Sequence, residues 1–126
     1  MIFQRKEFVS HSGIPLDFNI ACDDLTPEDW EALAFLVQKR FWFYKVLGIP
    51  RGGLAFAAAL QPYCRADAGN LLIVDDVYTT GASFVEVVIQ VLKCTLPPVG
   101  IIGIPVFARS RVKESWVHPI FQLWDE

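Results

Sequence analysis

A chain of 126 residues suits one domain, 1–126, built around a single core. Hydrophobic residues make up 53% of it and charged residues 20%, a balance that excludes a disordered chain. The net charge of −3 and the lack of a basic tract argue against nucleic acid as the main partner, so an anionic ligand must be met locally by backbone dipoles, a few arginines and a metal.

The first residues, MIFQRKEF, become charged too soon for a signal peptide, and no apolar run is long enough to span a bilayer, so a cytoplasmic location is expected. Residues 1–12 read as an edge strand or arm. Ser12-Gly13 with Pro15 marks a turn, and Phe18, Ile20 and Cys22 alternate with polar neighbours as in a half-buried strand. Thr26 is a good N-cap, with Pro27 at the first helical position and Asp29 at the reciprocal capping position. Trp30, Leu33, Ala34 and Val37 share the buried face of that helix, and Lys39 and Arg40 close it at its negative end. The helix dipole accounts for the acids Asp23, Asp24, Glu28 and Asp29 without a metal. Cys22, Cys64 and Cys94 have no metal spacing and read as buried reduced thiols.

A β-favouring run, FWFYKVLGI, predicts a buried strand at 44–49, broken by Pro50-Arg51-Gly52-Gly53. Leu54–Leu60 is Ala-rich and helical up to Pro62, and residues 61–70 form a short polar connection. The sequence LLIVDDVYTTGAS then begins with an apolar run, 71–74, that suits a strand buried on both faces. Asp75 and Asp76 are expected where it ends. In the helix that follows, Glu86, Gln90 and Lys93 line one face, Phe84, Val87, Val88, Val91 and Leu92 fill the rest, and the end comes near Thr95. Pro97-Pro98 turns the chain into a strand at 99–107, with Pro105 expected at its end or on an edge. The tail carries Trp116, His118, Phe121 and Trp124.

This order predicts an α/β domain: a small parallel sheet flanked by helices, with right-handed crossovers. Ligands should bind beyond the carboxyl ends of the strands, at a switch in strand order. Three such ends, 50–53, 75–81 and 107–111, carry the unusual residues and are predicted to converge.

Carboxylates accept hydrogen bonds only, so Asp75 and Asp76 suit sugar hydroxyls or water on Mg²⁺; as an alternative they form an acidic turn that caps the next helix. Thr79, Thr80, Gly81, Ala82 and Ser83 supply hydroxyls and approachable N–H groups at a helix N-terminus, as a phosphate monoester requires. Tyr78 is expected at the outer edge of this loop, without a chemical role. Gly52 and Gly53 expose backbone amides after a buried strand, and Arg51 adds a charge for a second phosphate group. No dinucleotide fingerprint, P-loop or nucleophile elbow is present, and His11 and His118 read as surface or packed histidines.

The sequence LLIVDDVYTTGAS resembles the 5-phosphoribosyl-1-pyrophosphate (PRPP) signature of the type I phosphoribosyltransferases, and GIPRGG at 48–53 resembles their pyrophosphate loop. The N-terminal HSGIPLDFNI looks like the start of the orotate phosphoribosyltransferase branch. The resemblance implies a Rossmann-like core with an N-terminal hood segment, completed by the aromatic tail, that chooses the base. It implies that Asp75 and Asp76 bind the ribose hydroxyls, that residues 79–83 cradle the 5′-phosphate and that Arg51, Gly52 and Gly53 meet the pyrophosphate. Arg109 would contact the base, although Ala108 stands where the family has an acid. Mg²⁺ would arrive on PRPP, with Asp75 or Asp76 reaching it through water. The implied activity is transfer of ribose 5-phosphate to a nitrogenous base, an orotate-like pyrimidine favoured, by a homodimer. One departure points to the alternative of a non-catalytic PRPP- or nucleotide-binding module. The family's long mobile loop and its flanking strands are reduced here to QPYCRADAGN, with Arg65 its only basic residue.

Overall fold

The computed structural model describes residues 25–93 and 98–123. The expectations for residues 1–24, and for Cys94, Thr95, Pro97 and Trp124, lie outside them.

Helix α1 (Pro27–Arg40) opens with the reciprocal cap that its sequence predicts. The Thr26 hydroxyl accepts the Asp29 N–H at 3.1 Å, and the Asp29 carboxylate accepts the Thr26 N–H at 3.0 Å. Leu33, Ala34 and Val37 are buried on one face, and Trp30 packs on Phe56 with ring centroids 5.5 Å apart.

Strands β1 (Lys45–Gly48), β2 (Asn70–Tyr78), β3 (Gly100–Ala108) and β4 (Phe121–Gln122) form one parallel sheet in that order. Helix α2 (Leu54–Leu60) joins β1 to β2, and α3 (Ala82–Leu92) joins β2 to β3. Alternate residues of β2 serve opposite layers. Leu72 and Val74 pack with Leu33, Val37, Phe56 and Leu60 of α1 and α2, whereas Leu71 and Ile73 pack with Phe84 and Val91 of α3.

Two expectations are corrected by this arrangement. Strand order follows chain order, so the described strands contain no switch point. The two crossovers also step across the sheet in the same direction while α2 and α3 cover opposite faces, so they have opposite hands and one of them is left-handed. Packing against α1 holds α2 on its face.

That short connection lines the outer edge of β1. After a 3-10 turn at Gln61–Tyr63, the Arg65 N–H donates to the Phe43 carbonyl at 2.8 Å, and the Arg65 guanidinium lies 4.8 Å over the Trp42 ring. An otherwise open strand edge is thereby covered. Cys64 in this stretch is half-buried, and burial pushes its thiol pKa up.

Strand β2 does not end at Val74. It runs on to Tyr78 because β3 stays beside it as far as Ala108, which puts both aspartates inside the strand. Pro105 lies within β3, opposite Asp75, rather than at an end. Its carbonyl accepts the Ile120 N–H at 3.1 Å, so the N–H it lacks would face the same side. On that side the ladder is interrupted between the Gly103–Val117 bridge and β4, and no bond is lost.

Helix α3 is apolar almost all round. Glu86, Gln90 and Lys93 are exposed as expected, but so are Val85, Ile89 and Leu92, and only Phe84 and Val91 are fully buried. The tail as far as residue 123 returns to the core instead of completing a hood. Trp116 meets Phe84 edge-on at 6.3 Å, Phe121 stacks on Phe107 at 5.4 Å, and exposed His118 tilts against Phe41 at 5.3 Å. Among the described residues no helix is long and apolar enough to cross a membrane.

Candidate active site

Because β1, β2 and β3 are parallel neighbours, their carboxyl ends share one edge of the sheet. That edge brings together the three predicted stretches, 50–53, 75–81 and 107–111.

The loop at 50–53 is pinned to both strands beside it. The Ile49 N–H donates to the Val74 carbonyl and the Gly53 N–H to the Ile49 carbonyl, each at 2.8 Å. The peptide bond between Pro50 and Arg51 is cis. At Gly52 the backbone presses on Asp76: a Cβ there would lie 2.2–2.5 Å from its carboxylate atoms. The Arg51 side chain is exposed and has no partner among the described residues.

Asp75 and Asp76 are consecutive in a strand, where alternation would turn them apart. Asp75 instead bends back to accept the Asp76 N–H at 2.8 Å. Asp75 is buried and Asp76 half-buried. Desolvation, reinforced by the Asp76 carboxyl, pushes the Asp75 pKa up to about 8.

Beyond the acids the chain turns into α3 through Gly81, whose φ of +86° only glycine adopts readily. The Thr80 hydroxyl accepts the Ala82 N–H at 3.2 Å. Neither aspartate caps α3, which overturns their reading as an acidic cap. Residues 77–84 line a small concavity at the start of the helix, with Thr79, Thr80, Ala82 and Ser83 exposed and Gly81 buried. Among the described residues, the N–H groups of Thr80 and Gly81 have no protein acceptor. This combination of helix N-terminus and unpaired donors suits an anion.

The carbonyl side of the same loop is occupied. The Arg109 N–H donates to the Tyr78 carbonyl at 2.9 Å, and the Ser110 hydroxyl donates to the Thr79 carbonyl. Tyr78 is buried, not at the outer edge of the loop, and its hydroxyl donates to Glu114 Oε1 at 2.7 Å and accepts the Lys113 N–H at 3.2 Å. Sequence reasoning passed over this residue. The available signal was its place in the strand, since a buried tyrosine needs a partner for its hydroxyl. Arg109 is half-buried directly after β3, on the edge that carries the acid pair.

No family model matches the chain, and no curated protein matches it. Among solved structures it is similar to the crystal structure of orotate phosphoribosyltransferase from Aeropyrum pernix, with 18% sequence identity and a TM-score of 0.47, over 98% of this chain and 78% of that one.

Proposed function

We propose that the protein binds PRPP and transfers its ribose 5-phosphate to a nitrogenous base, an orotate-like pyrimidine favoured, with release of pyrophosphate. One observation carries this reading: the Gly52 backbone lies against the Asp76 carboxylate, and the helix-start concavity at 77–84 begins at the next residue of the same strand. PRPP has that layout, with hydroxyls between a phosphate and a pyrophosphate.

In this reading the free N–H groups and hydroxyls of 79–83 hold the 5′-phosphate, Asp75 and Asp76 accept from the ribose hydroxyls, and Arg51 with the amides of Gly52 and Gly53 receives the pyrophosphate. Arg109 faces the base. Held at both ends, the sugar presents its C1 to the incoming nitrogen, and the protein contributes positioning and fixed dipoles more than proton transfer. Mg²⁺ bound to the substrate would neutralise the leaving group. Among the described residues no group of three or more His, Cys, Asp or Glu side chains could hold a metal ion, so a pair of carboxyls fits an ion carried mainly by ligand oxygens and water.

A second reading, PRPP binding without turnover, is favoured by the course of residues 61–69. They run along the β1 edge beside the start of β2, at the far end of the sheet from the acids. A lid supplied by a second copy in a homodimer would restore the transfer reading. Titration with Mg²⁺-PRPP, with pyrophosphate release followed across orotate, uracil and purine bases, separates the readings. Saturable binding with release supports transfer, binding without release from any base supports the second reading, and no binding overturns both.

A further inference from the structure

The Tyr78 hydroxyl lies behind the helix-start loop. A Cβ at Gly81 would stand 2.8 Å from Tyr78 Oη and 2.9 Å from Glu114 Oε2, so these two groups fill the space that a side chain at 81 would need. Tyr78 is among the residues that line the concavity at 77–84 and Glu114 is not, so the Tyr78–Glu114 bond ties the wall of the concavity to the segment behind it.

The segment that carries Glu114 is attached at four points, three on Tyr78 and one on Thr79, the first residue of the loop. Arg109 N–H meets the Tyr78 carbonyl, Ser110 meets the Thr79 carbonyl, Lys113 N–H meets Tyr78 Oη, and Tyr78 Oη meets Glu114. These bonds take up the carbonyls of Tyr78 and Thr79, while the N–H groups of Thr80 and Gly81 have no protein acceptor among the described residues. Trp116 anchors the far end of the segment on Phe84, the buried residue in the first turn of α3. The loop, the helix start and the segment at 109–116 therefore form one closed unit, with the Tyr78 hydroxyl as its central junction.

We infer that Tyr78 is a positioning residue for phosphate binding: acting through Glu114, it holds the turn at Gly81 so that the loop's N–H groups converge on a phosphate monoester. The ligand class rests on the function proposed above, whereas the brace rests on the contacts alone. In this account the Tyr78 hydroxyl, engaged by Glu114 and Lys113, acts on the loop and not on the ligand. Its removal should weaken only ligands that use the loop at 79–83, and should spare pyrophosphate, which belongs to 50–53.

Calorimetric titrations with ribose 5-phosphate and, separately, with Mg²⁺-pyrophosphate test this on the full chain and its Tyr78→Phe, Glu114→Ala and Glu114→Gln variants. Loss of one charge-assisted hydrogen bond should weaken ribose 5-phosphate about five- to thirty-fold in Tyr78→Phe and in Glu114→Ala, without further loss when the two are combined. Glu114→Gln keeps an acceptor for the hydroxyl and should restore most of the affinity, and pyrophosphate should stay within about twofold throughout. Equal loss for both ligands, or no loss for ribose 5-phosphate, overturns the proposal. Hydrogen exchange on the ligand-free proteins reads the brace by itself: residues 79–83 and 109–116 should lose protection together in Tyr78→Phe, and unchanged or one-sided protection overturns it. If the unaltered chain binds no sugar phosphate while the two segments still exchange as a unit, the proposed function fails and the brace stands.

Discussion

Gly52 and Asp76 touch so closely that no side chain fits between them: a Cβ at 52 would fall 2.2–2.5 Å from the Asp76 carboxylate, while one at the next glycine, Gly53, would fall 2.4 Å from the Val74 carbonyl and 2.8 Å from the Ile49 nitrogen. The obstacles differ in kind. A carboxylate can swing aside, but strand backbone cannot. Gly52→Ala should therefore change stability by less than about 1 kcal/mol yet cost roughly tenfold or more in PRPP affinity, because it displaces Asp76. Gly53→Ala should destabilise by about 1–3 kcal/mol through overpacking. Urea unfolding and PRPP titration of both variants check the pair, and equal stability losses would contradict this account of the loop.

Asp75 should make stability and binding respond to pH in opposite ways. Its folded pKa, about 8, stands above the ordinary carboxyl value of 3.8, so between these limits the native protein holds a proton that the unfolded chain releases. The favourable contribution of this group is fully present below about pH 4 and is lost as pH rises through about 8. Asp75→Asn keeps the shape without the charge, and should be more stable than the parent at pH 8–9, by a few kcal/mol at most, with the margin shrinking toward pH 4. Hydroxyl donors of a ribose favour the ionised form, so PRPP affinity should rise with pH toward about 8 and binding at pH 7 should release a proton. Thermal melts across pH, and calorimetry in buffers of different ionisation heat, measure these effects. A melting curve unaffected by Asp75→Asn at pH 9 would sink the assignment.

The cap of α1 contains none of the proposed ligand-binding residues, although Trp30 in the next turn packs on Phe56, three residues beyond Gly53, and it serves as a control. Thr26→Ala removes the hydroxyl that accepts the Asp29 N–H and leaves Asp29 without its reciprocal partner. The expected cost is about 1 kcal/mol of stability, with PRPP affinity unchanged. An affinity loss larger than twofold would mean that α1 is coupled to the site through α2.

Local rules carried much of the fold. The cap at Thr26, the helix at Leu54–Leu60, the strand order along the chain and the three stretches at one sheet edge all follow from spacing and residue type. What escaped depended on neighbours that spacing does not reveal. The length of β2 is set by β3 running beside it, so the acids looked like a strand end when they are strand interior. Pro105 looked like an edge signal, but it is accommodated by an interruption in the β4 ladder, a feature of the returning tail. The expectation of two right-handed crossovers could not foresee that α1 packs on α2 and holds it on the face opposite to α3. Tyr78 was passed over because its partners are 35 and 36 residues away in sequence.

The place of residues 61–69 makes a final prediction about turnover. Arg65 is the only basic residue of the connection, and it lies over Trp42 beside the start of β2, paired with exposed Asp67. Six residues of strand separate Asn70 from Asp76, about 20 Å at the usual rise, so Arg65 cannot reach the acids of its own chain. Arg65→Ala should lose only the surface contact with the indole, about 0.5–1 kcal/mol, and should leave PRPP affinity and any pyrophosphate release within about twofold. A variant that binds PRPP normally but no longer releases pyrophosphate would show that Arg65 acts on the site of another copy. In that case the connection is a lid working between subunits, and the activity of dilute samples should fall as the copies separate.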